Sequence, residues 1–303
     1  MLRHLLLSLS RRTWLRHWVE RSRVAQLLTR RFVAGRSLDQ AFEACRALRE
    51  ERIFSTLDYL GENVTTLEEA RKCRDAYLSA LGGIADYQLG GTVSIKLTQM
   101  GLDISEGHCR ENVRMLAERA LEIGAMVEID MESSAYTERT LAVVRDQHAH
   151  TGNVRAVIQA YLRRSASDVE ALCAQGIPVR LCKGAYQEDA EVAFPGKREV
   201  DENYSRLMRL LLEKGAWPAI ASHDERLIRE AMEIASSRRM APDAFEFQML
   251  FGIRRDLQKE LVGAGFRLRV YVPYGDAWYP YFMRRMAERP ANLWFVVRNL
   301  IRV

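Results

Sequence analysis

Seven short apolar runs in this chain each end in a side chain able to carry chemistry: Lys96, Asp130, Gln159, Arg180 with Lys183, His223, Gln248 and Tyr271. A strand-borne lysine can be desolvated into an amine nucleophile, so Lys96 and Lys183 raise Schiff-base chemistry of the aldolase or lyase kind. Asp130 argues the other way for Lys96, because a nearby carboxylate keeps an ammonium protonated. Arg180 shares its run with Lys183. Metal catalysis finds little support. Of the six histidines (His4, His17, His108, His148, His150 and His223) only His223 ends a run. The five cysteines are scattered without a Cys-x-x-Cys pair, which excludes a disulfide framework and a thiolate zinc site.

A second concentration of chemistry lies near the C-terminus, in Tyr281-Phe-Met-Arg284-Arg285-Met-Ala-Glu288-Arg289. At helical pitch Tyr281, Arg284, Arg285 and Glu288 share one face. Adjacent arginines suit a bidentate grip on a carboxylate, because each guanidinium offers a planar fork of donors.

Some framework must position these groups, and from residue 54 onward one pattern repeats. Runs rich in β-branched and apolar residues are Ser55–Leu60, Val93–Leu97, Met126–Met131, Val154–Tyr161, Pro178–Cys182, Ala219–His223, Phe245–Leu250 and Arg267–Val272. They alternate with charge-laced segments such as Cys109–Ile123 and Asn203–Lys214, whose apolar positions lie three and four apart. Strand–helix alternation predicts parallel pairing through right-handed crossovers. Eight such units over residues 54–303 fit a (βα)8 TIM-type barrel, in which catalytic groups stand at the carboxyl ends of the strands. No Gly-x-Gly-x-x-Gly opens a helix after a strand, which disfavours an open doubly wound sheet.

Composition sets the outer limits. At 303 residues, 48% hydrophobic and 28% charged, the chain is globular, and no apolar run approaches the ~20 residues of a membrane-spanning helix. The net charge of +5 is uneven, since residues 1–36 hold nine arginines, no lysine and one acid, Glu20. The remainder is slightly acidic, so nucleic acid is not an expected partner. Leu2, Leu5, Leu6, Leu9, Trp14, Leu15, Trp18 and Val19 recur at roughly helical spacing in this arm. That pattern suits a helix packed on the main domain, an amphipathic contact with an anionic membrane surface, or a transit peptide. The arm ends near Val33-Ala34-Gly35, and Ser37-Leu38-Asp39 starts a helix. The expected organisation is a basic arm and packing helices over residues 1–53, followed by the barrel over 54–303. The cysteine usage fits a reducing compartment.

Eight motifs occur in order along this pattern: Val93-Ser-Ile-Lys96-Leu, Glu128-Ile-Asp130-Met-Glu132, Gln159-Ala-Tyr-Leu, Arg180-Leu-Cys-Lys183-Gly184-Ala185-Tyr186, Ser222-His223-Asp, Glu246-Phe-Gln248-Met-Leu250, Tyr271-Val-Pro-Tyr-Gly275 and Tyr281-x-x-Arg284-Arg285-x-x-Glu288. From about residue 30 to 300 the chain resembles the monofunctional bacterial proline dehydrogenases, flavoenzymes that oxidise proline to 1-pyrroline-5-carboxylate. The resemblance implies FAD bound non-covalently at the carboxyl face of the barrel. Arg180 would stand at the flavin N5–O4 edge and Gln159 at its pyrimidine end. Met131, Lys183, Gly184, Ala185, Tyr186, Ser222, His223 and Gln248 would complete the cofactor site. Arg284 and Arg285 would hold the proline carboxylate with Lys96 beside them, Asp130 would pair with Lys96, and Tyr271, Tyr281 and Leu250 would wall the ring. Glu288 would lie near the substrate amine.

The resemblance also implies a membrane quinone as electron acceptor, a cytoplasmic location against the inner face of the membrane, and a separate pyrroline-5-carboxylate (glutamate semialdehyde) dehydrogenase for the product. The bulk of Tyr271 favours proline over hydroxyproline.

Overall fold

The structure, a computed structural model, describes residues 29, 31–61 and 64–288, the last five as helix backbone alone. The basic stretch from Leu2 to Val19 lies outside the described residues. Helix α1 (Leu38–Glu50) comes first, then β1 (Phe54–Tyr59), α2 (Leu67–Asp86), β2 (Thr92–Ile95), α3 (Glu106–Glu122) and β3 (Val127–Ile129). A short 3-10 turn (Ser134–Tyr136) leads into α4 (Thr137–Thr151), β4 (Val154–Gln159), α5 (Ser165–Ala174), β5 (Val179–Cys182), α6 (Lys197–Lys214), β6 (Ala219–Ala221) and α7 (Glu225–Ser237). The chain finishes its turn with β7 (Glu246–Leu250), α8 (Arg255–Gly263), β8 (Leu268–Tyr274) and α9 (Trp278–Glu288). All eight strands are parallel and close into one barrel in sequence order.

Local signals account for the helix starts. Ser37 caps α1 in a reciprocal capping box with Gln40, and Thr66 does the same for α2 with Glu69, each pair satisfying two otherwise orphaned amides. Buried Ala41, Phe42, Cys45 and Leu48 of α1 belong to the core that also holds barrel strands and α2. Among the described residues no helix is long and apolar enough to cross a membrane.

The strands alternate in an unusual sense. Leu57, Val93, Ile95, Val127, Ile129, Val179, Leu181, Phe247, Val270 and Val272 are buried in the layer shared with the helices. The intervening positions are Thr56, Asp58, Ser94, Glu128, Arg155, Arg180, Glu246, Gln248 and Arg269, all at 4% exposure or less. A barrel bore is ordinarily filled by branched apolar side chains. Here it is filled by charges that contact one another. Register makes those contacts, for Ser94 stands beside Glu128, Glu128 beside Arg155, and Gln248 beside Arg269.

Five strands stop short of the sequence expectation, β1 and β4 at Tyr59 and Gln159 among them. β2, β3 and β6 end at Ile95, Ile129 and Ala221, so Lys96, Asp130, Met131, Ser222 and His223 stand just beyond the paired ladder. Single backbone bonds continue past the ladder, from the Asp130 amide to the Ile95 carbonyl at 2.8 Å and from the Ser222 amide to the Gln248 carbonyl at 3.2 Å.

Candidate active site

Side chains on or just past β1, β2, β3, β5 and β8 converge on one charged cluster. Lys96 Nζ lies 3.1 Å from Asp58 Oδ1 and 3.3 Å from Asp130 Oδ2. Asp130 also accepts from the Tyr271 hydroxyl at 2.8 Å, from Ser94 Oγ at 3.0 Å and from Arg180 Nη2 at 2.7 Å. The Tyr271 ring sits 5.5 Å from the Arg180 guanidinium. Behind them Tyr77 reaches Asp58 Oδ1 at 3.5 Å and also touches Gln99.

This geometry fixes protonation. Burial works against the Lys96 ammonium, but Asp58 and Asp130 outweigh it and hold its pKa well above the ordinary lysine range. Burial likewise pushes Asp130 up, and Lys96 with Arg180 more than reverses this, leaving Asp130 below the usual carboxylate range. Asp58 is shifted the other way, because its burial outweighs the help of Lys96. The Tyr271 phenol is raised by burial and by the carboxylates Asp130 and Asp58, so it stays a donor. A Schiff base needs a neutral amine, and Lys96 is not one. Borohydride reduction with an aldehyde or keto acid should therefore leave no adduct on Lys96, checked by intact-mass and peptide mass spectrometry. A Lys96 adduct would restore the lyase reading.

Asp58 carries no signal of its own at the end of a run. It sits inside β1 between Leu57 and Tyr59, and a lone carboxylate within an apolar run is the clue that would have found it. Glu128 and Ser94 were legible only as motif letters, yet both touch Arg180.

On the opposite side of the mouth, Lys183 Nζ is held by Asp201 at 2.6 Å and Asp224 at 2.9 Å. Gly184 follows with φ 112°, a conformation favouring glycine, and a Cβ there would run into the Tyr161 ring. Ala185 and Tyr186 are exposed. The Gln159 amide donates to the Glu132 carbonyl at 2.7 Å and accepts from the Ala185 amide at 3.4 Å, tying β4 to the loop after β5. Met131 and Ser222 are buried, and Ser222 Oγ accepts from the Asp224 amide. His223 Nε2 accepts the Leu250 amide at 2.9 Å, so its hydrogen is carried on Nδ1 in that bond.

Gln248, expected at the cofactor, lies in the bore beside Arg180. It is 3% exposed, its Nε2 donates to Glu128 and Glu246, and its Oε1 accepts from Arg180. With both ends of the amide taken inside the bore, it braces Arg180 from below.

Leu250 and Tyr281 pack in one apolar cluster with Phe32, Trp278, Tyr279 and Phe282. Arg284, Arg285 and Glu288 fall on α9, as their spacing predicts, and their side chains lie outside the description. Among the described residues no group of three His, Cys, Asp or Glu is arranged to hold a metal ion.

Comparisons with known proteins bear on the family and on the barrel. A family model described as proline dehydrogenase matches residues 41–298. Proline dehydrogenase 1 of Bacillus subtilis subsp. natto is 40% identical over the full length of both chains. Proline dehydrogenase of Deinococcus radiodurans is 39% identical, covering 93% of this chain and 95% of that one. A crystal structure of proline utilization A from Bdellovibrio bacteriovorus, inactivated by N-propargylglycine, superposes with a TM-score of 0.81 at 28% identity. That match covers 87% of this chain and 33% of the larger protein. With a barrel of the same form, a full-length relative at two identities in five, and a family model spanning most of its residues, the chain belongs to the proline dehydrogenase family.

Proposed function

We propose that the chain oxidises L-proline to 1-pyrroline-5-carboxylate with non-covalently bound FAD. The observation that carries this reading is the cluster of Lys96, Asp130, Arg180 and Tyr271: fixed charges of both signs and no activated nucleophile. Hydride chemistry needs orientation and electrostatics from the protein rather than a bond-breaking group.

The donors at the mouth fit a flavin nucleotide. Arg180 and Lys183 supply positive charge, and Gln159 and Ser222 supply short polar contacts. Met131, Gln159, Arg180, Lys183, Gly184, Ala185, Tyr186, Ser222 and His223 would hold the cofactor, with Lys183 toward its phosphates. Bound FAD supplies a two-electron acceptor for the hydride leaving C5, the ring carbon beside nitrogen.

Arg284 and Arg285 would clamp the proline carboxylate together with Lys96. Leu250, Tyr271 and Tyr281 would wall the ring, and Glu288 would serve the amine. C5 becomes the positive end of a C=N bond as the hydride departs, so the proline ammonium must first give up one proton, to water, and leave a neutral nitrogen. Asp130 stays ionised and Lys96 protonated throughout, which keeps the pocket's charge constant while the substrate's changes. The permanent charge of Arg180 stabilises the negative charge gained on reduction.

Electrons then pass to a membrane quinone. The product goes to a separate pyrroline-5-carboxylate dehydrogenase, and the basic arm holds a cytoplasmic enzyme against the membrane's inner face. The test is the visible spectrum of the purified protein before and after anaerobic L-proline. Flavin bands that bleach with proline are expected. Bands that ignore proline but bleach with another amine would overturn the substrate, and a colourless protein that FAD cannot reconstitute would overturn the cofactor.

A further inference from the structure

The Arg180 guanidinium crosses the bore and is gripped from three other strands. Nη2 donates to Ser94 on β2 at 2.6 Å and to Asp130, just past β3, at 2.7 Å, and Nη1 donates to Gln248 on β7 at 3.1 Å. A second carboxylate stands beneath it. Glu128 Oε2 lies 2.6 Å from Nη1, an ionic contact whose angle falls outside a hydrogen bond. Glu128 on β3 and Asp130 just past its end are two residues apart along an extended run and therefore face the same way. They differ in what else they touch. Asp130 opens to the mouth, with a side chain 17% exposed, whereas Glu128 is wholly buried. The other oxygen of Glu128 accepts from Arg155 at 2.6 Å and from Gln248 at 3.0 Å.

Glu128 is thus the acid joining the mouth arginine to the charges deeper in the bore, where Arg155 continues to Glu246 at 2.6 Å and Glu246 to Arg269 at 3.0 Å. Water has no access there to screen a charge or to take a lost contact's place, so the Coulomb effect of one carboxylate beside Arg180 is large.

We propose that Glu128 is a positioning residue that holds the Arg180 guanidinium in its plane and partly neutralises it, thereby setting how readily the bound flavin is reduced. The inference rests on the reading that Arg180 neighbours the flavin. Removing the Glu128 charge leaves Arg180 more positive and favours the reduced state, so the midpoint potential rises.

The test is the flavin midpoint potential of the FAD-loaded variants, measured with the proline KM. Glu128→Gln keeps the shape and removes the charge. It should shift the equilibrium for flavin reduction about tenfold, which for a two-electron couple is about 30 mV upward, with the proline KM changed less than about threefold. Glu128→Asp keeps the charge but withdraws it by one methylene. Its smaller rise in the same direction serves if the glutamine variant fails to fold. Arg180→Met separates the two layers of the argument and should lower the potential. If Arg180→Met moves the potential and neither Glu128 variant does, this proposal alone is overturned. If Arg180→Met also leaves it unmoved, the placement of Arg180 at the flavin falls, and the proposal with it.

Discussion

Asp130→Ala should lower kcat/KM for proline at least a hundredfold, a loss of about 2.7 kcal/mol in transition-state stabilisation. Asp130 is the shared acceptor of Ser94, Lys96, Arg180 and Tyr271. Its loss leaves two cations with less counter-charge and releases the phenol that walls the ring. Removing one partner of a buried pair costs about 3–5 kcal/mol, and the partial exposure of Asp130 discounts that figure. Asp130→Asn, which keeps an acceptor but no charge, should fall between the alanine variant and the parent. Steady-state kinetics decide, and an alanine variant within tenfold of the parent would remove Asp130 from the machinery. The same carboxylate has a pH signature. Its folded pKa is lowered, so the stability it contributes is present above its unfolded value and is lost as pH falls through the lower folded one. Asp130→Asn should accordingly flatten the loss of unfolding free energy in acid.

The largest stability effect is expected deeper in the bore. Glu246 is fully buried and accepts from Arg155 at 2.6 Å, Arg269 at 3.0 Å and Gln248 at 2.7 Å, with Arg267 at 3.4 Å. Burial alone would raise its pKa, but Arg269 and Arg155 hold it far below the carboxylate range. Glu246→Leu leaves Arg269 without its carboxylate and Arg155 with Glu128 alone in a dry site, which costs about 3–5 kcal/mol. For a domain of this size that lowers the melting temperature by on the order of 10 °C. Changing Glu246, Arg155 and Arg269 together to apolar residues of similar volume should recover most of the loss, because the desolvation of the charges disappears with them. Thermal and urea unfolding test both, and a single variant as stable as the parent would refute the argument.

The barrel was legible because strand and helix periodicities differ and because parallel strands need crossovers. Most of the mouth was legible because polar residues ending apolar runs stand out. A polar residue marks itself when it ends an apolar run, whereas a charge inside or opening a run does not. Arg155 and Arg269 sit at the second position of their strands and Glu246 at the first position of its own, where charge looks like a boundary rather than a filled bore. Asp58 escaped because β1 continues past it to Tyr59. Gln248 was visible, but register alone tells whether such a residue faces the mouth or the layer beneath. That information lies in the pairing of β7 with β8, not in either strand alone.

Residues 32–35 run beside the carboxyl end of β8 and pack against α9. The Ala34 amide donates to the Pro273 carbonyl, Gly35 bridges to Tyr274 beside it, and the Phe32 ring packs 6.3 Å from that of Phe282 on α9. Phe32 and Val33 are buried with Trp278 and Tyr281. For anyone shortening the chain to make it easier to handle, the scissors belong ahead of Arg31. A cut at residue 36 would look on paper like a slightly more generous removal of the basic arm. In three dimensions it would take a plank out from beside β8 and unseat the helix that bears the paired arginines.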